Sequence, residues 1–445
     1  MTFDFCWLFF HISLLLLVIA REFARKKNRN LFLILICSAF LVLISGQDWW
    51  MLTFFEDGNE IGINHLYQYI SLPGVRLANF YVGLSVISFV ILYFIKVRRL
   101  PNRTEVQSRN APRALIGRYA YLFFICWIVA IIYLLTISAG GFINSLKAPG
   151  LNFTYGVTMN LILLSVGKMP LLYNIASKNE VRKLDIFLFL AVLFFTLINA
   201  RLNSALMLLQ LLILFNYCRY EISRAAWLLI VFFFFLIFIA FGLWREFASQ
   251  QIGSQDLSNF FLFIVYYFDF KEILDWFYAA NVESFSGLAG ILTYDQSVGG
   301  IEHDFGISNL QFILQFIPGA VRADSSLPFG QFHDFFRSFY PYQNGSIISS
   351  GLEIAYANFW IFGVFMFGGV LGYLARFFHS FVLRPNSSVL VIGLISVQCV
   401  HLIRGTISNV LFFGFSDLIM LIFFKIVLLV FNGSKLSAVK RTFYE

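Results

Sequence analysis

Apolar runs of membrane-spanning length recur along most of this chain. A helix needs roughly 20 apolar residues to cross the hydrocarbon layer of a bilayer. By that length eleven runs qualify, at residues 3–20, 31–47, 77–96, 119–139, 156–176, 184–200, 202–218, 226–244, 355–374, 388–404 and 409–431. Only 13% of the 445 residues are charged, about half the fraction typical of soluble domains. The pattern predicts an all-α integral membrane protein with about 11 transmembrane helices.

Basic residues concentrate in alternate loops between these runs. The loops that fall on one side carry Arg21, Arg25, Lys26, Lys27 and Arg29, then six arginines between residues 98 and 118, then Lys178, Arg182, Lys183, Arg219, Arg224, Arg376, Arg384, Lys435, Lys440 and Arg441. Positive loops mark the cytoplasmic side of a membrane protein. We therefore expect an external N-terminus and a cytoplasmic C-terminus. The net charge of +8 then reflects topology, and no nucleic-acid partner is expected.

The stretch 245–354 has no run long enough to span a bilayer. We predict that it is an external loop subdomain within a single polytopic membrane domain, residues 1–445, and the family resemblance described below would make that loop periplasmic. Its two short apolar pieces, 259–270 and 309–317, predict helices that lie at the membrane interface. The chain has no GxxxxGK[ST] sequence, which argues against a pump driven directly by ATP.

Four arginines lie on the predicted external side, where positive charge is normally scarce. They are Arg201, Arg245, Arg322 and Arg404. Each fits a structural role, as a cap of a helix C-terminus or a side chain that reaches the headgroups. Together they also fit a site for phosphate, because the guanidinium group binds phosphate through two parallel hydrogen bonds. The second interpretation predicts a phosphate-containing lipid substrate, such as a polyprenyl diphosphate carrier.

Three residues of the long loop and its end are candidates for acid–base catalysis. Glu353 lies at the start of a predicted helix, beside Ser349 and Ser350, where a carboxylate is also stabilised by the helix dipole. His303 and His333 are each followed by an aspartate, and a loop histidine is equally compatible with an ordinary surface position. The histidines lack metal-ligand spacing and the five cysteines lack a CxxC pair. We expect neither a metal nor another cofactor.

Two further groups have open interpretations. Lys168, Asp417 and Lys425 fall within predicted spans, where ionisable residues mark functional sites by default, but we interpret them as structural. Trp49 and Trp50 in the first predicted external loop fit either stacking on sugar faces or anchoring at the membrane interface.

Several stretches resemble the O-antigen polymerase (Wzy) family of oligosaccharide repeat-unit polymerases. The turn at 199–203 (NARLN), the helix end at 243–245 (LWR), the loop segment 316–318 (FIP) and the Ser/Gly-rich entry into a Glu-bearing helix at 345–363 are similar to features of that family. Arg404 resembles the arginine between its last two helices. The likeness covers most of residues 199–409, together with the overall plan of many spans and one long periplasmic loop.

The resemblance implies a GT-C-like fold and a metal-independent glycosyltransferase. Such enzymes act at the periplasmic face of the bacterial inner membrane, in the biosynthesis of lipopolysaccharide and related surface polysaccharides. A growing polysaccharide on undecaprenyl diphosphate is transferred to a new lipid-linked repeat unit. The implied partners are these lipid-linked oligosaccharides, membrane lipids and a chain-length regulator. Arg201, Arg245, Arg322 and Arg404 would bind the diphosphate, and Glu353, His333 or His303 would act as the base.

Two other functions remain open at this stage. An O-antigen ligase has the same plan and a similar substrate, but it transfers the glycan to the lipid A core. A flippase or transporter would move lipid-linked sugars without chemistry. Transporters usually contain repeated halves with broken helices near the midplane, and the sequence has no corresponding halves. We therefore favour the polymerase.

Overall fold

The computed structural model describes ten stretches of the chain. They are residues 2–25, 29–54, 70–95, 115–138, 165–199, 201–218, 284–300, 350–383, 388–404 and 407–431, together with the single residues 223, 226, 229, 274, 277 and 278. Every regular element in these stretches is helical, and none of the described residues forms a strand. The prediction of an all-α fold is confirmed for this part of the chain.

The helices follow the apolar runs in the sequence. In the first half they are α1 (Thr2–Ala24), α2 (Leu31–Phe40), α3 (Gly46–Phe54), α4 (Leu72–Phe94), α5 (Arg118–Ser138), α6 (Met169–Ala176), α7 (Lys183–Asn199) and α8 (Arg201–Cys218). In the second half they are α9 (Ser284–Val298), α10 (Gly351–Val382), α11 (Val389–Ser396), α12 (Gln398–Arg404) and α13 (Ile407–Phe431). A π-helical segment, Leu41–Ser45, joins α2 to α3, and a 3₁₀ turn, Ser165–Lys168, precedes α6.

Five helices among the described residues are long and apolar enough to cross a membrane: Phe3–Ala24, Leu31–Phe54, Leu72–Phe94, Gly351–Val382 and Gly414–Phe431. Shorter apolar helices cover Arg118–Ala130, Ser204–Cys218 and Val389–Ile403. The length and the apolar composition of these helices therefore make the chain a multi-pass, helical membrane protein. The predicted run 226–244 lies almost wholly outside the described residues.

The chain divides into two compact units. Unit 1 comprises residues 1–106, 267–385 and 396–413, and unit 2 comprises residues 107–266, 386–395 and 414–445. The prediction of a single domain with a loop subdomain at 245–354 stays a prediction, because most of that loop lies outside the described residues.

Helices α1 and α4 run in the same direction in unit 1. Near their starts, the Asn79 Nδ2 donates a hydrogen bond of 2.9 Å to the Asp4 carbonyl. Near their ends, the Tyr93 hydroxyl donates one of 2.9 Å to the Glu22 carboxylate. Asp4 and Glu22 are about 27 Å apart at the helical rise of 1.5 Å per residue. The two contacts therefore join α1 to α4 near both ends of the helix pair.

Glycines bring α10 against α4 at backbone contact. A Cβ atom built on Gly368 would collide with the Ser85 carbonyl, and one built on Gly372 would collide with the Phe89 carbonyl. The pair forms a GxxxG spacing, which allows two membrane helices to approach closely. Further along, the Arg376 Nη1 donates to the Tyr93 carbonyl at 3.2 Å. The order of these contacts makes α10 parallel to α4.

Basic residues gather at the end of unit 1 where α1 and α4 finish. Glu22 is fully buried there and pairs with the Arg25 guanidinium at 3.0 Å. It also accepts the Asn30 backbone N–H at 3.1 Å. The Arg29 Nε donates to the Arg25 carbonyl at 3.0 Å, and the Arg21 guanidinium lies 4.4 Å from the centre of the Phe94 ring.

Helix α9 lies within the stretch that the sequence predicts as a periplasmic loop, and it packs inside unit 1. Its buried residues include Phe285, Leu288 and Leu292, each with no exposed surface. Gln47 of α3 fixes its start, because its Oε1 accepts the backbone N–H of Phe285 at 2.8 Å. The first N–H groups of a helix have no partner within the helix, so this side chain acts as a cap from another helix. At its far end α9 stops at Gly299, whose φ is +76°.

Helix α10 is broken in its first third. Phe359 (φ −138°, ψ 21°) and Trp360 (φ 55°, ψ −150°) depart from helical geometry. The left-handed φ of Trp360 is strained for a residue with a side chain, at a cost of order 1–3 kcal/mol. Gly363 lies so close to the Ala355 carbonyl that a Cβ would collide with it. The predicted run 355–374 is thus not one continuous helix, since the short segment that carries Glu353 is separated from the long one.

Unit 2 contains two buried polar clusters. The Lys168 Nζ lies 2.5 Å from the Asp417 Oδ1, and the Gln210 Nε2 donates to the Asp417 Oδ2 at 2.7 Å. In the second cluster, the buried Asp185 accepts hydrogen bonds from the Tyr121 hydroxyl at 2.5 Å and from the Asn174 Nδ2 at 2.9 Å. Lys168 and Asp417 therefore form a buried pair, while Lys425 is exposed. The interpretation of all three residues as structural stays a prediction.

Candidate functional site

The first turn of α10 holds Glu353, the predicted base that the structure describes. The Ser350 Oγ accepts the Glu353 backbone N–H at 3.2 Å, and the Glu353 Oε2 accepts the Ser350 backbone N–H at 3.0 Å. This reciprocal pair is a capping box, which the Ser-x-x-Glu spacing encodes. Glu353 is 1% exposed. The structural interpretation of Glu353 as a helix-start carboxylate therefore describes its geometry, and its role as a base stays a prediction.

Helix α9 closes the space beside Glu353. Gly287 leaves no room for a side chain, because a Cβ there would collide with the Glu353 Oε2 and lie 3.0 Å from its Cδ. One residue earlier, the Ser286 Oγ accepts a hydrogen bond of 3.1 Å from the Gln47 Nε2. Gln47 and Ser286 are both fully buried. The Glu353 carboxylate therefore lies against α9 at Gly287, and Gln47 of α3 contacts the neighbouring residue Ser286.

A second carboxylate, on α9, contacts α10 about one turn after Glu353. The Tyr356 hydroxyl donates a short hydrogen bond to the Asp295 carboxylate of α9, and the Tyr356 ring packs against that of Tyr81 at 5.9 Å between centroids. Asp295 is partly exposed, whereas Glu353 is buried. The site therefore offers one enclosed and one accessible carboxylate, and only the enclosed one was singled out from the sequence.

Arg404 is the last residue of α12, and its side chain is not among those described. Helix α12 packs on the start of α10, where a Cβ on Gly351 would collide with the Leu402 carbonyl. The backbone of Arg404 is thus two residues along the chain from a contact with the first turn that carries Glu353. Arg201 is the first residue of α8 in unit 2, and its side chain is likewise not described.

The remaining predicted site residues lie outside the described part of the chain. They are His303, His333, Arg245 and Arg322. Their roles in acid–base chemistry and diphosphate binding stay predictions.

No group of three or more His, Cys, Asp or Glu side chains in the described part of the chain is placed to hold a metal ion. The described cysteines, Cys6, Cys37, Cys126, Cys218 and Cys399, are all free thiols.

Sequence reasoning missed two charged residues near the starts of α1 and α4 in unit 1. Arg76 lies just before the predicted span 77–96, and Asp4 lies within the predicted span 3–20. The Arg76 Nε and the Asp4 Oδ2 are 3.5 Å apart. The rule that selected the four external arginines, a positive charge at an outer helix end, applies equally to Arg76 and would have found it.

A buried histidine was also overlooked. The His11 Nε2 of α1 lies 3.8 Å from the Asp48 Oδ2 of α3, and both side chains have no exposed surface. Residue 48 was predicted to begin the first external loop, but α3 continues through it to Phe54. Trp50 is consequently buried in the core, 6.1 Å from the Tyr278 ring. Neither sugar stacking nor interfacial anchoring describes its position. Burial raises the pKa of Tyr278 to about 12.

Comparisons of this chain with protein-family models, with curated proteins and with solved structures found no match.

Proposed function

We propose that this protein is a polysaccharide polymerase that joins undecaprenyl-diphosphate-linked repeat units at the periplasmic face of the bacterial inner membrane. The observation that carries the proposal is the start of α10. There Gly351, two residues before Glu353, contacts Leu402 of the helix that carries Arg404, and Tyr356 donates to the Asp295 carboxylate. Carboxylates and arginines are the groups that a glycosyl transfer from a diphosphate requires.

The proposal includes eleven spans with the N-terminus outside. Arg21, Arg25, Arg29 and Arg376 gather at one end of unit 1. Because α1, α4 and the long segment of α10 run in the same direction, the break at Phe359 and Trp360 lies toward the other end. This arrangement supports the predicted orientation, in which the basic end is cytoplasmic and the break in α10 is periplasmic.

In the proposed reaction the acceptor sugar hydroxyl loses its proton to a carboxylate as it attacks the anomeric carbon of the donor. The bond from that carbon to the diphosphate breaks, and undecaprenyl diphosphate leaves with the bonding electrons. Positive charge from the four predicted arginines stabilises the leaving group. Glu353 is the predicted base, and Asp295 is a second candidate because it is the more accessible of the two carboxylates.

Reconstitution tests the function directly. The purified protein in lipid vesicles is supplied with lipid-linked repeat units from the native host, and the products are separated by chain length. A ladder of lengthened chains on undecaprenyl diphosphate is expected. Glycan found on lipid A core instead would identify a ligase. Movement of intact repeat units across the vesicle membrane, with no lengthening, would identify a flippase.

The variant Glu353→Gln separates catalysis from folding. Glutamine also forms a capping box at this position, so the stability of the helix start is expected to be preserved. Loss of a general base lowers the rate by about 10²–10⁴-fold. Polymer formation should therefore collapse in Glu353→Gln, while Asp295→Asn tests the second carboxylate in parallel. A normal chain ladder in Glu353→Gln would exclude Glu353 as the base.

Replacement of the arginines tests diphosphate binding. Arg322→Ala and Arg404→Ala are each expected to lower the polymerisation rate by about 10²–10³-fold, the loss typical of one group that stabilises developing charge. Lysine at either position should rescue poorly, because the two-pronged hydrogen bonding of guanidinium is lost. Lys425→Gln, which removes an exposed positive charge, is the control. Equal activity in all three variants would contradict the arginine assignment.

A further inference from the structure

A cavity of about 400 Å³ opens between the first turns of α1 and α4 and the end of α9. Ligand sites in proteins typically enclose about 300–1,000 Å³. Its apolar wall includes Phe3, Trp7 and Phe80. The Trp7 and Phe80 rings stack with centroids 5.5 Å apart and planes inclined by 28°. The Trp7 Nε1 donates to the Phe80 carbonyl at 3.2 Å, which fixes the indole on this wall.

Four polar side chains line the same cavity: Asp4, Arg76, Asn79 and Gln296. The Arg76 Nε and the Asp4 Oδ2 are 3.5 Å apart. Asn79 is 1% exposed; its Nδ2 donates to the Asp4 carbonyl, but its Oδ1 has no hydrogen-bond partner. A buried amide oxygen without a partner costs about 1–3 kcal/mol. This oxygen is itself buried, so the polar groups available to a ligand in the cavity are those of Asp4, Arg76 and Gln296.

The charge balance of the cavity selects the class of ligand. Arg76 and Asp4 together carry no net charge, so a phosphate would meet an arginine that already has a carboxylate partner. A hydrocarbon chain would cover the aromatic wall but exclude water from the polar groups, which is costly. A sugar ring, whose carbons carry hydroxyl groups, can contact both the aromatic and the polar side chains of the cavity. Its apolar face covers the aromatic side chains, and its hydroxyls donate to and accept from the polar ones.

We infer that this cavity is a saccharide subsite that binds one pyranose ring of an oligosaccharide. The ring lies against Trp7 and Phe80, and its hydroxyls bond to Asp4, Arg76 and Gln296. The inference rests on the proposed function only for the source of the sugar, a lipid-linked repeat unit. Binding in this cavity requires the sugar ring and does not require the lipid carrier.

Binding to the full-length protein in nanodiscs tests the subsite. One probe is the repeat-unit oligosaccharide released from its carrier by mild acid, and the other is undecaprenyl phosphate. Gln296→Ala should weaken binding of the oligosaccharide roughly fivefold, as expected for loss of one hydrogen bond. Ser297→Ala is the matched control, because Ser297 is also exposed and adjacent but does not line the cavity. Trp7→Leu should weaken binding roughly three- to tenfold.

The outcomes separate this inference from the proposed function. Equal affinity in Gln296→Ala and Ser297→Ala, or no binding of the free oligosaccharide to the wild type, would overturn the subsite. Displacement of the oligosaccharide by undecaprenyl phosphate in the wild type, with affinity for that phosphate reduced in Gln296→Ala, would assign the cavity to the lipid phosphate. Oligosaccharide binding that depends on Gln296, in a protein that forms no polymer, would support the subsite and refute the polymerase.

Discussion

Replacing Lys168 with methionine leaves the Asp417 carboxylate inside unit 2 without its cation. The Lys168 and Asp417 side chains are 5% and 8% exposed, with Nζ and Oδ1 2.5 Å apart. Removing one partner of a buried ion pair typically costs about 3–5 kcal/mol, because the remaining charge is uncompensated. The Gln210 Nε2 still donates to the Asp417 Oδ2 at 2.7 Å. We therefore expect a loss near the lower limit, about 3 kcal/mol of unfolding free energy, for Lys168→Met.

A double variant measures the pair itself. Asp417→Asn leaves the lysine ammonium uncompensated and should also cost about 3 kcal/mol. In the double variant Lys168→Met/Asp417→Asn both charges are gone, and the new amide still accepts the hydrogen bond from Gln210. Replacing a buried pair by neutral groups of similar volume is often close to neutral. The double variant should therefore be more stable than either single variant.

Equilibrium unfolding in mixed detergent micelles, followed by tryptophan fluorescence, gives the four free energies of this cycle. The expected coupling between the two positions is about 3 kcal/mol or more, at the upper end for residues in contact. A double variant whose loss equals the sum of the two single losses would refute the buried-pair reasoning.

Two further variants test how unit 1 is held together. Gly372→Leu should prevent α10 from reaching the α4 backbone and should lower the yield and melting temperature of the purified protein. Val370→Leu, at an exposed position of the same helix, should lower neither. Equal stability of the two variants would contradict the packing assignment. Gln47→Leu should cost about 1–3 kcal/mol through the uncapped Phe285 N–H, with faster hydrogen exchange at the start of α9; unchanged exchange there would show that the cap contributes nothing.

The sequence predicts those parts of the fold that depend on local composition. The runs 3–20 and 77–96 correspond to α1 and α4, because apolar length alone determines whether a helix can span a bilayer. The capping box at Glu353 is equally local, since four consecutive residues encode it. The helical class and the position of this carboxylate at a helix start follow from the same information.

Features that depend on distant partners were not predictable in this way. Helix α9 has the sequence SFSGLAGILTYDQSV, which is too short and too polar for a span. It is stabilised by Gln47 and by its contacts with α4 and α10. Lys168 and Asp417 were both noted as unusual, but their pairing joins residues 249 positions apart. The cavity near Arg76 requires three helices, and a single sequence gives no signal for their association.

The packing of α10 on α4 has a consequence for how the protein is made. Tyr93 and Arg376 are 283 positions apart, so the ribosome adds all of the intervening chain before the two helices meet. At roughly 5–20 residues per second, the Ser85 and Ser88 face of α4 stays uncovered for on the order of 15–60 s. During that interval a nascent α4 presents serine hydroxyls and a groove without its partner helix. Chains that terminate before residue 351 are therefore expected to be recognised and degraded by membrane quality control.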